Sequence, residues 1–469
     1  MIITNSSEYS INCLFQKKKI HNRDIIKDYC FILRNQQFAI SKENPGRHLP
    51  IRIIFMTITI IIIICILLLL AYLFDLTSAR TKIPAVILLL ILGWACRQAT
   101  DFFSFQVPDL SRLLPVFGTV GLILIVLEGA LELDLNKSKF HLVRKSFFGA
   151  FVSMLVLSFL ASYAINFLTG TSLMVSLINV IPICIISSSV AISSARNLSK
   201  ADKEFVIYES SLSDILGVVF FNFIALNSTI DVHSFLHFGI QIIIISIISF
   251  IATIGLSFLL RTIDHPIKHA PIIILIILIY AISEIYHLPA LIFILFFGLV
   301  LNNIDELKSF TWIKRLNPYQ FDREVNKFRD IVTEGAFLIR AFFFTLFGFS
   351  FETSEIINLE TLGFATLIFS MIVVVRVIIL KISRLPIFPL VFVAPRGLIT
   401  ILLFFAIPVT YAIPLVNKSL IIQIIILTVI FMMIGLILTG GKSEKKQQNN
   451  DINQPDPVNT IQQETTSED

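Results

Sequence analysis

Two carboxylates separated by serines lie within one apolar helix and could bind a proton or a cation. They are Glu209 and Asp214, in the stretch 185–222. Because successive residues of a helix are turned by about 100°, Ser210 lies one turn before Asp214 on the same face. Glu209 and Ser213 are related in the same way on the adjoining face. A carboxylate with hydroxyl oxygens one turn away is a small site of hard oxygen ligands.

Asp214 is placed near the middle of its apolar segment, where a charge is costly. An ionised carboxylate at the centre of a membrane helix costs about 2.5–3.5 kcal/mol on insertion scales, so such residues usually have a function. A carboxylate held only by a structural partner is the alternative. We favour a site at which Asp214 binds a cation or a proton.

Two apolar stretches are interrupted in the middle of a predicted span. The first contains the serine triplet 187–189 between apolar residues, which indicates a locally loosened helix. The second contains Pro395 and Gly397. Proline removes a backbone donor and glycine tolerates unwound backbone, so this span should also break. One broken helix in each half of a chain is typical of an inverted-repeat secondary transporter with its site at the midplane.

The composition is that of a membrane protein with many spans. Of 469 residues, 56% are hydrophobic and 15% are charged, and the mean hydropathy is +0.86. These values exclude an ordinary soluble globule. The apolar runs lack the alternation of membrane β-strands, so we predict an all-α fold. The net charge of +5 is spread over loops, which does not indicate a nucleic-acid partner.

The residue types also argue against an enzyme. The five cysteines have no spacing typical of disulfides or metal ligands, so we predict no resident metal and no cofactor. No His or Lys base lies within reach of a serine nucleophile in the predicted spans, which disfavours an intramembrane hydrolase. We expect a protein that is not an enzyme and that holds only a transient monovalent cation at Asp214.

Apolar runs predict about thirteen membrane helices within residues 52–440. A polar basic tail, 1–51, precedes them, and a polar tail, 441–469, follows and should be disordered. The predicted spans are Arg52–Phe74, Ile83–Cys96, Leu114–Leu131, Ser146–Leu168, Leu173–Ser194, Glu204–Ala225, Phe235–Leu260, Ala270–Ile285, Leu288–Leu301, Ile331–Phe351, Thr361–Leu380, Pro386–Thr410 and Ser419–Leu438.

The distribution of lysine and arginine predicts the orientation of these spans. One alternate set of connections, with the C-terminal tail, holds 22 of these residues and the other set holds 3. Positive charge marks the cytoplasmic side, so the C-terminus should be cytoplasmic. An odd number of spans then puts the N-terminus outside, although residues 1–55 carry nine lysines and arginines. Either one N-terminal helix is miscounted, or translation starts at Met56, which we favour.

Three arginines remain inside predicted spans, and each needs an acceptor because a guanidinium does not lose its proton. They are Arg340, Arg376 and Arg396. For Arg340 we expect packing against neighbouring helices, because Glu334 is more than one turn away. The carboxylates available at membrane depth are Glu128, Glu209, Asp214, Glu284 and Glu334.

Four segments resemble motifs of the monovalent cation:proton antiporters, which include sodium/proton exchangers. Residues 209–214 (ESSLSD) are similar to the site helix of that family, E-S-L-L-N-D. Residues 187–192 (SSSVAI) resemble its broken helix, T-D-P-V-A-V. Residues 395–399 (PRGLI) and 375–378 (VRVI) are similar to its L-R-G-A-V and A-R-V-L segments. The order and spacing of these motifs make the resemblance specific, and it covers residues from about 60 to 440.

The resemblance implies that Asp214 alternately binds a proton and a cation. Ser210, Ser213 and the chain around Ser187 and Ser188 would supply further oxygens. The family has a second carboxylate in T-D-P that the serines replace, and Ser213 stands where the family has asparagine. A site with fewer charges should hold a monovalent cation more weakly, and Na⁺ and K⁺ both stay open as the substrate.

The resemblance also implies structural roles. Glu209 would pair with Arg376 as a structural ion pair. Arg396, between Pro395 and Gly397, would compensate exposed helix ends and carbonyl groups, and Ser189 would belong to the first break. If Asp214 is the one titrating group, each cycle exchanges one proton for one cation. The exchange would then be electroneutral, and it would take place by alternating access.

Domain organisation and partners follow from the same resemblance. Scaffold and dimer helices would occupy 52–134 and 270–351, and the core transport helices 146–225 and 361–438. The partners would be protons, Na⁺ or K⁺, the lipid bilayer and a second copy of the chain in a homodimer. The expected location is the inner (plasma) membrane, with many spans.

Two other functions are compatible with parts of the pattern. A sodium-coupled organic-anion symporter also has broken crossing helices, but it would need further cation ligands and a larger cavity. A non-transporting membrane sensor or channel subunit would be expected to carry a soluble domain, for which the 29 residues after Gly440 are too few.

Overall fold

The computed structural model is entirely helical in the part of the chain that it describes. The first compact unit is Met1–Leu69, described only from Leu49, and the second is Leu70–Asp469. Most of the predicted N-terminal tail, and the tail residues after Ile452, lie outside the described residues. The described residues are 49–81, 83–103, 113–133, 139–195, 198–227, 230–263, 265, 268–303 and 318–452.

Fifteen α-helices and one short 3-10 helix, Val409–Tyr411, make up this part of the chain. The α-helices are α1 (Leu49–Thr81), α2 (Ala85–Phe102), α3 (Leu113–Glu132), α4 (Phe140–Thr169), α5 (Leu173–Cys184), α6 (Ser188–Ser194), α7 (Lys200–Leu226), α8 (Val232–Thr262), α9 (His269–Ile285), α10 (Leu291–Asn302), α11 (Pro318–Phe349), α12 (Thr353–Ile356), α13 (Leu359–Ile382), α14 (Leu398–Phe405) and α15 (Lys418–Ile452).

The predicted all-α membrane fold is confirmed. Among the described residues, ten helical segments are long and apolar enough to cross a membrane, with α5 and α6 together forming one of them. The shorter apolar helices α9 and α10 add two more, and α14 with the irregular chain before it lies in the remaining predicted span. The count of about thirteen therefore agrees with the structure.

Helices α11 and α15 extend furthest beyond their predicted spans. Helix α11 begins at Pro318 rather than near Ile331, because its first part is amphipathic and hydropathy alone does not detect it. Val325, Phe328 and Val332 form its buried stripe at helical spacing. Helix α15 continues to Ile452, into the region predicted to be a disordered tail.

Helices α2 and α11 approach each other closely at two glycines. A Cβ on Gly93 would overlap the carbonyl oxygen of Thr345 and lie 2.6 Å from the amide nitrogen of Phe349. A Cβ on Gly348 would likewise overlap the carbonyl oxygen of Leu90. Small residues let membrane helices pack backbone to backbone, where dispersion and interhelical contacts stabilise them.

We expect Gly93→Ala to destabilise the protein by about 1–3 kcal/mol, because the added methyl group must push two backbones apart. The measurement is the thermal midpoint of the detergent-purified protein. The matched control is Gly255→Ala on α8, where a Cβ meets no atom within 4 Å, and alanine there should be neutral or stabilise by up to about 1 kcal/mol. Equal midpoints for the two variants would contradict the close packing.

The helix with the two carboxylates, α7, is surrounded by other helices. It packs against α4, α5 and α6, and α13 packs against α4 and α15. The side chain of Ser199 caps the start of α7 by accepting the backbone N–H of Asp202 at 3.2 Å. Fifteen residues of α7 are buried, including Glu209, Ser210, Ser213 and Asp214. The packing therefore places these polar side chains inside protein rather than against lipid.

Candidate ion-binding site

The first break covers residues 185–187, so Ser187 lies in it, whereas Ser189, predicted to belong to the break, lies in the first turn of α6. Helix α5 contains Pro182 and ends at Cys184, and α6 begins at Ser188. Between them the chain is extended, with φ −79° and ψ 117° at Ser187. The N–H of Ser187, which no helix satisfies, donates to the carbonyl oxygen of Pro395 at 2.9 Å. The first break is thus joined directly to the second.

The second break lies just before α14. Residues 393–397 are not helical, and α14 begins at Leu398. Gly397 has an extended φ of −173°, so its backbone conformation does not require glycine. Glycine is needed here for lack of space, because a Cβ would lie 2.8 Å from Oγ of Ser187 and 2.8 Å from Cγ2 of Val190. The prediction of two broken helices that cross is confirmed.

Asp214 lies beside the first break and is 1% exposed. Its Oδ2 accepts the backbone N–H of Ser188 at 3.1 Å. Its Oδ1 has no hydrogen-bond partner among the described residues, and neither has Oγ of Ser188. A buried carboxylate oxygen without a partner is costly. This oxygen is therefore available to a proton or to a cation.

The nearby serines have different contacts. Oγ of Ser213 accepts the backbone N–H of Ile186 at 3.0 Å, which ties α7 to the extended chain of the first break. The hydroxyl of Ser210 donates to the carbonyl oxygen of Val206 at 2.7 Å, one turn back in its own helix. The hydroxyls of Ser187 and Ser189 lie 2.9 Å apart. The roles of these serines as ion ligands stay predictions.

Glu209 and Arg376 form a buried ion pair between α7 and α13. Oε1 of Glu209 accepts a hydrogen bond from Nη1 of Arg376, and each side chain is 2% exposed. The same guanidinium donates to the carbonyl oxygens of Leu390, at 3.2 Å, and Val393, at 3.3 Å. Arg376 therefore satisfies a carboxylate and two carbonyl groups of the non-helical chain that leads into the second break.

Arg396 donates hydrogen bonds to carbonyl oxygens near the first break, as Arg376 does near the second. Its Nε donates to the carbonyl oxygen of Ile183, in the last turn of α5, and its Nη1 donates to that of Ala394 at 2.8 Å. The carbonyl groups at the end of a helix lack intrahelical partners and carry partial negative charge. A buried guanidinium at this position supplies the missing hydrogen-bond donor, and its positive charge offsets the partial negative charge of the carbonyl groups.

The part of the chain that contains the two breaks and Asp214 matches a known family. The model of the sodium/hydrogen exchanger transmembrane family matches residues 59–440. The chain belongs to this family. The predicted resemblance to cation:proton antiporters is therefore confirmed, and this membrane protein is a member of a family of ion transporters.

Solved structures show the same fold. The sodium proton antiporter MjNhaP1 from Methanocaldococcus jannaschii, in a structure at pH 8, matches with a TM-score of 0.61 and 17% identity, covering 82% of this chain and 99% of that one. An electron-microscopy structure of the same antiporter has a TM-score of 0.59 and 17% identity, covering 82% of this chain and 96% of that one. A search of curated proteins found no significant match.

The third intramembrane arginine, Arg340, lies near one of the carboxylates available at membrane depth. Its Nη1 is 3.7 Å from Oε2 of Glu128, and each side chain is 14% exposed. The sequence predicts packing against neighbouring helices for Arg340 and does not say which carboxylate it meets. The two residues are far apart in the sequence, on α11 and α3, and these helices pack together in this exchanger.

A buried asparagine was also missed. Asn179 on α5 is 1% exposed and hydrogen-bonds to two residues of the chain that follows α14, Tyr411 and Ile413. Its signal in the sequence is a single amide in the apolar run LINVIPIC. In the described part of the chain, no group of three or more His, Cys, Asp or Glu side chains is arranged to hold a metal ion.

Proposed function

We propose that this exchanger moves one monovalent cation, Na⁺ or K⁺, against one proton, and that Asp214 carries both in turn. The observation that supports this most is the buried Asp214 carboxylate beside the crossing of two broken helices, with one oxygen unpartnered among the described residues. A cation that binds there displaces the proton, and a proton that binds there displaces the cation. Alternating access of this site to the two sides completes the cycle.

The charges around Asp214 support electroneutral exchange. The other buried carboxylate of α7, Glu209, is already engaged by Arg376, so it is not free to take up a proton or a cation. One carboxylate then neutralises either one proton or one monovalent cation. No net charge moves when the two alternate.

The orientation and the assembly are part of the proposal. The uneven distribution of lysine and arginine supports a cytoplasmic C-terminus in the inner (plasma) membrane. Membership of the family supports a homodimer, with the core helices around α7 and α13 moving relative to scaffold helices that include α3 and α11.

Exchange in proteoliposomes tests this function. Vesicles loaded at acidic pH with an internal pH-sensitive dye should alkalinise when external Na⁺ or K⁺ is added, and Li⁺ tested separately completes the selectivity series. Because exchange is one for one, the rate should not change when valinomycin and equal K⁺ on both sides hold the membrane potential at zero in the Na⁺ assay. Vesicles that respond to none of the three cations would contradict the proposal, and a rate that depends on membrane potential would contradict electroneutrality.

A further inference from the structure

Asn179 makes three hydrogen bonds inside the mainly apolar half-helix α5. Its Nδ2 donates to the carbonyl oxygen of Val175 at 2.8 Å and to that of Tyr411 at 2.6 Å. Its Oδ1 accepts the backbone N–H of Ile413 at 3.2 Å. These are three of the four hydrogen bonds that an amide side chain can make. The bond from Ile413 is buried and the other two are partly buried, so losing Asn179 leaves the Ile413 N–H without this partner in an apolar environment.

The two segments that Asn179 joins are those interrupted at the binding site. Helix α5 is the first half of one broken helix and leads to Ser187 and Ser188. Residues 411–413 follow α14, which begins at the second break. Helix α14 and the 3-10 helix Val409–Tyr411 also pack against α5. Asn179 is thus a polar connection between these two segments.

The breaks themselves share one backbone bond, between Ser187 and Pro395. The side chain of Arg396 adds a contact close to that bond, because it donates to the carbonyl oxygen of Ile183 at the end of α5. Both contacts lie at the breaks, whereas the hydrogen bonds of Asn179 lie eight residues before Ser187 along α5 and join it to the chain beyond α14. Contacts at two separated places hold both the register and the rotation of one segment against the other.

We propose that Asn179 is a positioning residue for ion binding, which keeps the two broken helices in one register throughout the transport cycle. The proposal rests on the exchange function proposed for Asp214. Asn179 touches neither the cation nor the proton. It acts through the chain that presents the Ser188 N–H to Asp214, because a shift of α5 moves that donor and the space beside the free carboxylate oxygen.

If Asn179 positions the site, changing it should alter the affinity for the cation. We expect Asn179→Ala to raise the apparent KM for the transported cation about tenfold while the maximal rate falls less, because the site is displaced but its carboxylate is intact. Asn179→Asp should raise KM further, since a carboxylate would face the carbonyl oxygens of Val175 and Tyr411. The matched control is Asn227→Ala, because Asn227 donates to the Phe223 carbonyl of its own helix, and its KM should equal that of the parent.

A second variant tests the connection from the other side, in case changes at Asn179 prevent folding. Ile413→Pro removes the N–H that Asn179 accepts, and ψ of 128° at Ala412 is compatible with a following proline. Ile413→Pro should also raise the KM for the cation, by a smaller factor than Asn179→Ala does.

The outcomes separate the two proposals. If the parent exchanges cations and the folded Asn179→Ala and Ile413→Pro variants keep its KM, the positioning role is wrong and the exchange function stands. If only thermal stability falls, Asn179 is merely structural, and the positioning role is again wrong. If the parent itself exchanges no cation, both proposals fail.

Discussion

We expect Asp214→Asn to reduce cation-dependent proton movement to the level of protein-free vesicles, while the protein is still made and purified in normal yield. The amide has nearly the same shape and can still accept the Ser188 N–H. It cannot carry a negative charge, so it cannot neutralise a cation or release a proton. Because the changed group is neutral and isosteric, loss of exchange without loss of folding separates chemistry from stability. The measurement is the dye response in proteoliposomes.

The matched control is Asp202→Asn, at the start of the same helix. Asp202 is partly exposed and is bonded to Ser199, so its change should leave the rate close to that of the parent. Asp214→Asn vesicles that still dissipate a pH gradient on addition of Na⁺ or K⁺ would remove Asp214 from the mechanism. The family fold would then need a different carrier group.

We expect Glu209→Gln to lower the yield and the thermal midpoint of the purified protein. The change leaves a buried guanidinium without its carboxylate, and breaking a buried pair by removing one partner costs about 3–5 kcal/mol. Arg376 keeps its hydrogen bonds to Leu390 and Val393, so the loss is one of charge compensation rather than of every contact. Yield and thermal midpoint, measured side by side with the parent, give the size of the effect.

Glu204→Gln is the matched control for this prediction. Glu204 pairs with Lys139 at 3.2 Å, and about a quarter of each side chain is exposed, so the loss should be below about 1 kcal/mol. The double variant Glu209→Gln with Arg376→Gln should recover part of the yield, because no charge is left unpaired. A Glu209→Gln protein as stable and as active as the parent would show that the pair is dispensable.

The fold could be predicted in large part because membrane helices are specified locally. Apolar length gives each span, and the serine triplet and Pro395 with Gly397 give the two breaks without any knowledge of neighbouring helices. The start of α11 could not be predicted from apolar length, because Val325 and Phe328 lie in a polar segment. Only their helical spacing indicates a buried face.

The residues of the candidate site could be proposed from the sequence, but most of their contacts could not. Asp214 was identified from the cost of a charge at membrane depth, and the pairing of Glu209 with Arg376 came from the family resemblance. The contact between Arg340 and Glu128 joins residues 212 positions apart, and a single sequence does not say which helices meet. The role of Asn179 could not be predicted, because its hydrogen-bond partners are backbone atoms and the sequence does not show where backbone atoms lie.

Ser210 illustrates a local competition that the sequence leaves undecided. One turn of helix brings its hydroxyl to the face of Asp214, as predicted. The same turn brings the hydroxyl within reach of the carbonyl oxygen of Val206, to which it donates. Serine hydroxyls in helices commonly bond back to their own backbone in this way. The oxygen keeps lone pairs for an ion, but its proton is already engaged.

The hydrogen bond from Ser187 to Pro395 joins the two broken helices through main-chain atoms alone. Backbone groups at membrane depth must find partners within the protein, and here an N–H of one interrupted helix meets a carbonyl oxygen of the other. We therefore expect side-chain substitutions in the serine triplet to leave this contact between the two breaks in place.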